Sequence, residues 1–302
     1  MPTNDYSLVA DFVTKSEEER RLGIIPTISE DGNTIIYGLY PQTNVNDSTL
    51  ISSLNSLTTP EANGWYLYDG NYYAKINSTP FSSNYKFDNG TTIESGTTYW
   101  FKCEPIVWNV LSNTNGEYYI VSSVLLDTYC YCNSTSTRTI DGQTVYINNY
   151  KYSDIRTWLN EDFYNSAFTL GNKYIQTTTV DNSASTTNKA SNKYACDNTE
   201  DKVFLPSYQD FINSSYGFST SWYETDARRF CKTTDWARAR GACYYNSTNL
   251  SRIYNGCNWI RSPYSDSSYC AWYVDNDGTL YGDSLVYFTG VSVRPGLTIK
   301  IG

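Results

Sequence analysis

Short β-prone runs separated by turn dipeptides dominate the chain from residue 31 onward. Asp-Gly and Asn-Gly adopt the positive backbone φ of two-residue hairpin turns readily, so each such dipeptide between two β-prone runs predicts a β-hairpin. The dipeptides in that position are Asp69-Gly70, Asn115-Gly116, Asp141-Gly142 and Asp277-Gly278. We therefore expect a protein built largely from short antiparallel strands.

Two helices interrupt this pattern in the middle of the chain. A helix over residues 152–164, capped by Ser153, is predicted because apolar residues recur at i, i+3, i+4 and i+8 as Ile155, Trp158, Leu159 and Phe163. The segment from Ser207 to Asp210 resembles a capping box and predicts a shorter helix that contains Phe211 and Ile212. Between them, residues 177–202 are rich in Thr, Asn, Ser and Asp, which is typical of a long surface excursion.

The N-terminal residues follow a different pattern. Helical spacing of Leu8, Val9, Phe12 and Val13, followed by a charged run and Gly23, predicts a short amphipathic helix within residues 6–22. We divide the chain into an N-terminal arm, residues 1–30, and one domain, residues 31–302.

The charge balance limits the classes of partner. A net charge of −9 argues against nucleic acid as a partner, because phosphate contacts require a basic face. Residues 226–262 are a local exception, with seven Lys or Arg and two Asp, a net charge of 7 − 2 = +5. We expect these guanidinium groups to pair with carboxylates and backbone carbonyls, and a phosphate-binding patch is the alternative. No apolar run approaches the roughly 18 residues of a membrane span.

The start of the chain shows no secretory signal, although a trimmed signal stays open. The compartment is therefore left open between display on a cell surface or phage particle and the cytoplasm.

The chain contains no histidine, which removes the commonest general base and the usual partner of a Ser or Cys nucleophile. Glu161 and Asp162 are adjacent on the predicted helix and point apart, so we expect a solvated surface there instead of a catalytic pair. The eight cysteines form no zinc motif, and we expect most to be buried thiols, with a disulfide between distant cysteines left open. The sequence indicates a protein that is not an enzyme and has no cofactor.

Six motifs in order resemble a bacterial domain family of unknown function, which is similar to the C-type-lectin-like fold of sulfatase-modifying, formylglycine-generating enzymes. The motifs are YGLYPQ at 37–42, PIVWNVL at 105–111, SDIRTWLN at 153–160, VFLPS at 203–207, WIRSP at 259–263 and VRPGL at 293–297. The resemblance covers residues 30–301. It implies an α+β, C-type-lectin-like fold with short antiparallel strands, two helices and much irregular structure.

This fold class includes the variable proteins of diversity-generating retroelements, whose C-terminal segment presents diversified side chains on a fixed framework. The resemblance implies a recognition surface made of Tyr264, Ser265, Asp266, Ser267, Ser268, Tyr269, Tyr273, Asn276, Tyr281, Asp283, Ser284 and Tyr287. Tyrosine suits such a surface because it offers a large, rigid contact area with a hydrogen-bonding tip. Ordinary loop chemistry gives a similar composition. We expect a protein or cell-surface ligand, with a glycan as the alternative; the oligomeric state is left open.

This sequence departs from the family's motifs at two places, and two further hypotheses on its function are kept. The family's usual ending resembles GVRPAL, whereas here Gly290-Val291-Ser292 precedes VRPGL. The cysteine motif of formylglycine-generating enzymes is not found around Cys257 or Cys270; a divergent cysteine oxidase using these two thiols is the second hypothesis. A structural or assembly subunit that oligomerises through the N-terminal helix is the third.

A short acidic run and two arginines allow further predictions. The run Asp275-Asn276-Asp277-Gly278 lacks the closing Glu of an EF-hand and is interpreted as a hairpin turn, with calcium held elsewhere by carbonyls and scattered acids as the alternative. Arg261 and Arg294 stand in β-like contexts and predict buried guanidinium groups satisfied by carbonyls or an acid.

Overall fold

The computed structural model describes residues 15–245 and 252–302, which combine short helices with several β-sheets. The α-helices are α1 Lys15–Arg21, α2 Ser48–Asn55, α3 Asp154–Trp158, α4 Tyr164–Ala167, α5 Tyr208–Phe211 and α6 Asp235–Ala239. A π-helical turn at Leu159–Phe163 joins α3 to α4, and 3-10 turns lie at Tyr150–Tyr152, Ala184–Thr186 and Ser214–Tyr216. The expected mixed α+β class is confirmed.

The strands of the described residues are short, with a few exceptions. They are β1 Thr27–Ile28, β2 Thr34–Asn44, β3 Tyr66–Tyr68, β4 Asn71–Asn77, β5 Thr98–Thr114, β6 Glu117–Ser122, β7 Asp127–Thr128, β8 Arg138–Ile140, β9 Gln143–Val145, β10 Thr178–Val180, β11 Thr199–Asp201, β12 Cys231–Lys232, β13 Asn255–Gly256, β14 Asn258–Pro263, β15 Cys270–Val274, β16 Leu280–Leu285, β17 Ser292–Val293 and β18 Gly296–Lys300.

Two larger sheets contain most of these strands, and the pairs β8–β9, β10–β11 and β12–β13 form three two-stranded sheets. The larger sheet has the order β1-β2-β5-β4-β3, and β6 pairs with both β5 and β18. The five-stranded sheet has the order β16-β15-β14-β17-β7, antiparallel except where β14 runs parallel to β17. Because β17 and β18 belong to different sheets, residues 292–300 connect the two.

All four predicted hairpin turns are confirmed. The first residues of three turns have positive φ, namely 47° at Asp69, 52° at Asn115 and 51° at Asp141, and each is followed by a glycine of positive φ. Positive φ at both central residues is the geometry that matches the right-handed twist of the flanking strands. The Asp277-Gly278 turn joins β15 to β16, with φ 84° at the glycine.

The helix predictions are confirmed with shifted boundaries. The Ser153 hydroxyl accepts a hydrogen bond from the Arg156 amide at 3.3 Å, and the helical segment runs from Asp154 to Ala167, three residues past the predicted end. The capping box of Ser207 and Asp210 is present in full, but α5 ends at Phe211, so the predicted member Ile212 lies outside the helix. At the N-terminus, α1 ends before Gly23, which has φ 66°. Residues 6–14 of the amphipathic helix predicted within residues 6–22, including Leu8, Val9, Phe12 and Val13, lie outside the described residues.

The segment 177–202 is not the free surface excursion that its composition predicts. Its two ends pair as β10 and β11, and Asn182, Asn192 and Tyr194 within it are buried. The Asn192 side chain donates a hydrogen bond to the Pro263 carbonyl at 2.9 Å. Polar residues satisfied in this way can be buried, so polarity alone did not distinguish this packed connection from an exposed loop.

The predicted burial of the arginines is confirmed. The Arg261 guanidinium donates to the Leu205 carbonyl at 2.9 Å and to the Asp210 carboxylate at 3.0 Å. That of Arg294 donates to the Ser122 carbonyl at 2.9 Å and the Arg229 carbonyl at 2.7 Å. Arginine suits these places because its planar group holds several donors in a fixed arrangement.

The hydrophobic core has a main cluster and two smaller ones. One of the smaller clusters lies against the five-stranded sheet and includes Ile260, Trp272, Val274, Leu280 and Phe211. These side chains come from β14, β15, β16 and α5, so the hairpin β15–β16 is fixed by apolar packing.

Candidate functional site

The hairpin β15–β16 carries a stacked pair of tyrosines. Side chains alternate between the two sides of a strand, so Tyr273 and Tyr281 lie on the side opposite Trp272, Val274 and Leu280. The two residues are directly opposite each other in the register, and their ring centroids are 5.9 Å apart with an interplanar angle of 29°. We call Tyr273, Tyr281, Asp275 and Asp283 the hairpin face.

The two rings differ in exposure and surroundings. Tyr273 is half-buried against the main core, whereas Tyr281 is 42% exposed. Burial, followed by the nearby Asp275 and Asp283 carboxylates, raises the pKa of Tyr273, so this phenol keeps its proton. Burial also raises the pKa of Asp275, with smaller contributions from Asp277 and Asp283. The hairpin face therefore combines hydroxyl donors with clustered carboxylates.

Tyr264 does not belong to this face. Its ring packs edge-on against Trp272, with centroids 5.7 Å apart, and a Cβ atom at Gly282 would overlap it. Trp272 also meets Trp222, which is 43% exposed, at 6.2 Å. The segment predicted as one recognition surface is therefore divided between the two sides of the hairpin, and Tyr264 acts as packing against Trp272 on the far side.

The remaining predicted residues lie around the hairpin in different environments. Exposed members are Asp266 and Tyr269 on the loop between β14 and β15, together with Tyr281 and Asp283 on β16. Half-buried members are Tyr264, Ser265, Ser267, Ser268, Tyr273, Asn276, Ser284 and Tyr287. Tyr287 packs against the main core, as Tyr273 does.

A pair of thiols adjoins the hairpin face. The sulfur atoms of Cys243 and Cys257 are 3.1 Å apart, and both side chains line a pocket of about 170 Å³ together with Tyr245, Asp275 and Asn276. The hydrogen bond with the Cys257 thiol lowers the pKa of Cys243, and the same contact raises the pKa of Cys257. The sequence hypothesis placed Cys257 with Cys270 instead, but Cys270 is buried opposite Leu285 on β16.

No sequence signal identified the thiol pair. Cys243 and Cys257 are 14 residues apart, a spacing that matches no common cysteine motif, and the contact arises from the pairing of two short segments. The perturbed thiols, Asp275 and Tyr273 nevertheless form one cluster, and such clusters are enriched at functional sites.

Residues 15–245 and 252–302 contain neither a cluster of metal-ligating side chains nor a membrane-spanning helix. No group of three or more His, Cys, Asp or Glu side chains there is placed to hold a metal ion. Among the helices of these same ranges, none has the length and apolarity needed to cross a membrane. The turn at Asp277 is closed internally, because its carboxylate accepts from the Thr279 amide at 3.0 Å.

Residues 115–301 match the model of a family described as a domain of unknown function (DUF6273), so the chain belongs to that family. The resemblance to a family of unknown function is confirmed at this level. Strands β1–β5 precede the matched region, yet they form one sheet with β6 and β18. No curated protein and no solved structure matches the chain.

Proposed function

We propose that this protein is a non-enzymatic ligand-binding protein with a C-type-lectin-like fold, which recognises a protein or cell-surface ligand through the hairpin face. Asp266 and Tyr269, on the loop next to the hairpin, extend the contact surface. In this proposal the protein is a variable protein of the diversity-generating-retroelement kind, with the hairpin as its display element.

The stacked Tyr273–Tyr281 pair is the observation that supports this proposal most. The hairpin below it is anchored by Trp272, Val274 and Leu280, so the rings are presented on a rigid support. Rigid aromatic side chains lose little conformational entropy on binding, and interface hot spots are enriched in tyrosine for this reason. Tyr281, exposed and backed by Tyr273, is the expected centre of the contact.

The adjacent carboxylates indicate the charge of the ligand. After burial, the Asp277 and Asp283 carboxylates contribute to the raised pKa of Asp275, and Asp275 and Asp283 contribute to that of Tyr273, so the negative charges are clustered around these two residues. A ligand surface with lysine or arginine would neutralise this cluster, and complementary charge accelerates association. A basic patch on a protein is therefore the preferred partner.

A glycan is the second candidate, favoured by the aromatic cluster on the far side of the hairpin. Trp222 and Tyr223 are 43% and 67% exposed, and Trp222 packs on Trp272. Exposed tryptophan and tyrosine rings offer flat apolar surfaces for the faces of sugar rings.

The experiment screens the purified protein against an immobilised glycan array and a displayed library of random peptides, then compares variants on the hits. Tyr281→Ala should weaken binding of a peptide hit about 30-fold, the loss of one hot spot of about 2 kcal/mol. Tyr223→Ala is the matched control, an exposed tyrosine off the hairpin face, and should leave that affinity unchanged. Equal affinity of wild type and Tyr281→Ala for every peptide hit would refute the site. A loss of affinity in Tyr223→Ala alone would favour the aromatic cluster of Trp222 and Tyr223 as the binding surface.

The diversification part of the proposal has its own test. A reverse-transcriptase gene beside this one, with a near-copy of the coding segment for residues 236–295, is the expected genomic arrangement. Identical residues at 264–287 in many isolates of one population would count against it.

A further inference from the structure

The thiols of Cys243 and Cys257 are held opposite each other by backbone pairing on two sides. Tyr244 and Gly256 form an antiparallel bridge, and the Tyr245 amide donates to the Asn255 carbonyl at 2.8 Å. In this register residues 243 and 257 are directly opposite, since antiparallel partners have a constant sum of residue numbers. Opposite residues in an antiparallel pair have Cβ atoms about 4.5–5.5 Å apart, close to the separation in a disulfide.

A third segment, residues 290–292, hydrogen-bonds to both cysteines independently of that bridge. The Cys243 amide donates to the Gly290 carbonyl, and the Ser292 amide donates to the Cys257 carbonyl, each at 2.8 Å. The two sulfurs thus meet at 3.1 Å on a backbone anchored on both sides. A bond of about 2.05 Å requires them to approach by only about 1 Å.

This pair differs from the other six cysteines, all of which lie within the described ranges. Cys103, Cys132, Cys231 and Cys270 are buried, and Cys130 and Cys196 are half-buried. Cys243 and Cys257 are both half-buried at the pocket of about 170 Å³, where a small reagent can enter. Reactive cysteines are those that combine access with a stabilised thiolate.

The contact also gives the two thiols different roles. The hydrogen bond between the two sulfurs lowers the pKa of Cys243, so Cys243 is the better thiolate. Cys257 keeps its proton more firmly. Thiol–disulfide exchange begins with the thiolate, which favours Cys243 over Cys257 as the attacking residue.

We propose that Cys243 and Cys257 form a reversible intramolecular disulfide by exchange with a low-molecular-weight disulfide such as oxidised glutathione. The Cys243 thiolate attacks one glutathione sulfur; the glutathione S–S bond breaks, and the departing thiolate takes up a proton. Cys257 then loses its proton and attacks the Cys243 sulfur of the mixed disulfide, which releases the second glutathione as a thiol. The two protein thiols are oxidised by two electrons, and one oxidised glutathione is reduced to two thiols.

The test uses the full chain in buffers of graded reduced-to-oxidised glutathione, quenched with acid, alkylated and mapped by mass spectrometry. Wild type should lose two of its eight alkylatable thiols, with one cross-linked peptide pair containing Cys243 and Cys257, and dithiothreitol should restore both. Cys257→Ser should accumulate the Cys243–glutathione mixed disulfide, since no resolving thiol is left.

Cys130→Ser is the matched control, because Cys130 is also half-buried but lies outside the Cys243–Cys257 contact. It should form the cross-link at the same glutathione ratio as wild type. Circular dichroism identifies any variant that fails to fold, and wild-type mapping alone then decides the question. A cross-link between other cysteines, or eight reactive thiols retained in the most oxidising buffer, would overturn the proposal.

Discussion

Replacement of Arg294 by lysine tests how far buried guanidinium groups stabilise the fold. Arg294 is 1% exposed, and its Nε and Nη1 donate to the carbonyls of Ser122 and Arg229 at 2.9 and 2.7 Å, while the group lies over the Phe211 ring. These bonds connect the larger sheet to the segment before β12. A lysine ammonium keeps the charge but cannot reproduce this divergent pair of donors.

The expected loss follows from the hydrogen bonds. A bond to a charged group contributes about 1.5–3 kcal/mol, and a buried carbonyl left without a donor costs about 1–3 kcal/mol. With one bond lost and one carbonyl unsatisfied, we expect Arg294→Lys to lower the free energy of unfolding by about 3 kcal/mol. For a chain of 302 residues, with an unfolding entropy of about 2.1 cal/mol/K per residue, that corresponds to a fall in Tm of roughly 5 °C.

Arg228→Lys provides a control of the same chemistry on the surface. Arg228 is exposed and donates to one carbonyl, that of Gly217, at 3.0 Å, so its replacement should change stability by about 0.5 kcal/mol or less. Urea unfolding followed by tryptophan fluorescence measures both variants at constant net charge. If the free energies of unfolding of Arg294→Lys and Arg228→Lys differ by less than about 1 kcal/mol, the guanidinium geometry is not what stabilises this region.

Two further predictions concern a turn and a titration. Gly116→Ala should destabilise the protein more than Gly142→Ala, because both glycines have a φ near +80° but only a Cβ at Gly116 would lie 2.6 Å from the Ile301 carbonyl oxygen. The left-handed backbone costs each variant about 1–2 kcal/mol, and equal thermal unfolding of the two would contradict the steric difference. Hydrogen bonds from the Ser29 hydroxyl and from Asn33 lower the pKa of Asp31 from 3.8 to about 2, so the associated stability is present above pH 3.8 and is lost as pH falls through about 2. NMR titration should show this value in wild type and a higher one in Ser29→Ala; an unchanged value would exclude the hydroxyl as the main cause.

Local features could be predicted from the sequence because their causes are local. The four turn dipeptides adopt positive φ by their own chemistry, and Ser153 caps the helix that its neighbours form, so no distant residue was needed. The burial of Arg261 and Arg294 was predicted from their β-like sequence contexts, although Arg294 lies between β17 and β18 and not within a strand. Family membership followed from ordered motifs, of which those from 153 onward lie in the matched region.

Features that depend on distant pairing were not predictable. The side of the hairpin on which each tyrosine lies depends on the strand register, and a bulge between Ala271 and Tyr273 shifts that register within five residues. The predicted recognition surface therefore included Tyr264, which packs against Trp272, together with Tyr273 and Tyr281, which lie on the other side of the hairpin. The Cys243–Cys257 contact likewise requires the antiparallel bridge between Tyr244 and Gly256, which no hydrophobic periodicity in the sequence predicts.

The connection of both sheets through residues 292–300 has a consequence for biosynthesis. β17 joins β14 to β7, and β18 pairs with residues 117–121 of β6. Each sheet therefore lacks one of its strands until residues 292–300 have left the ribosome. A nascent chain that ends before residue 292 would expose the strand edges of β6, β7 and β14 during synthesis, and such edges promote aggregation. Folding is therefore expected to finish after translation of this segment, with chaperones protecting the incomplete chain until then.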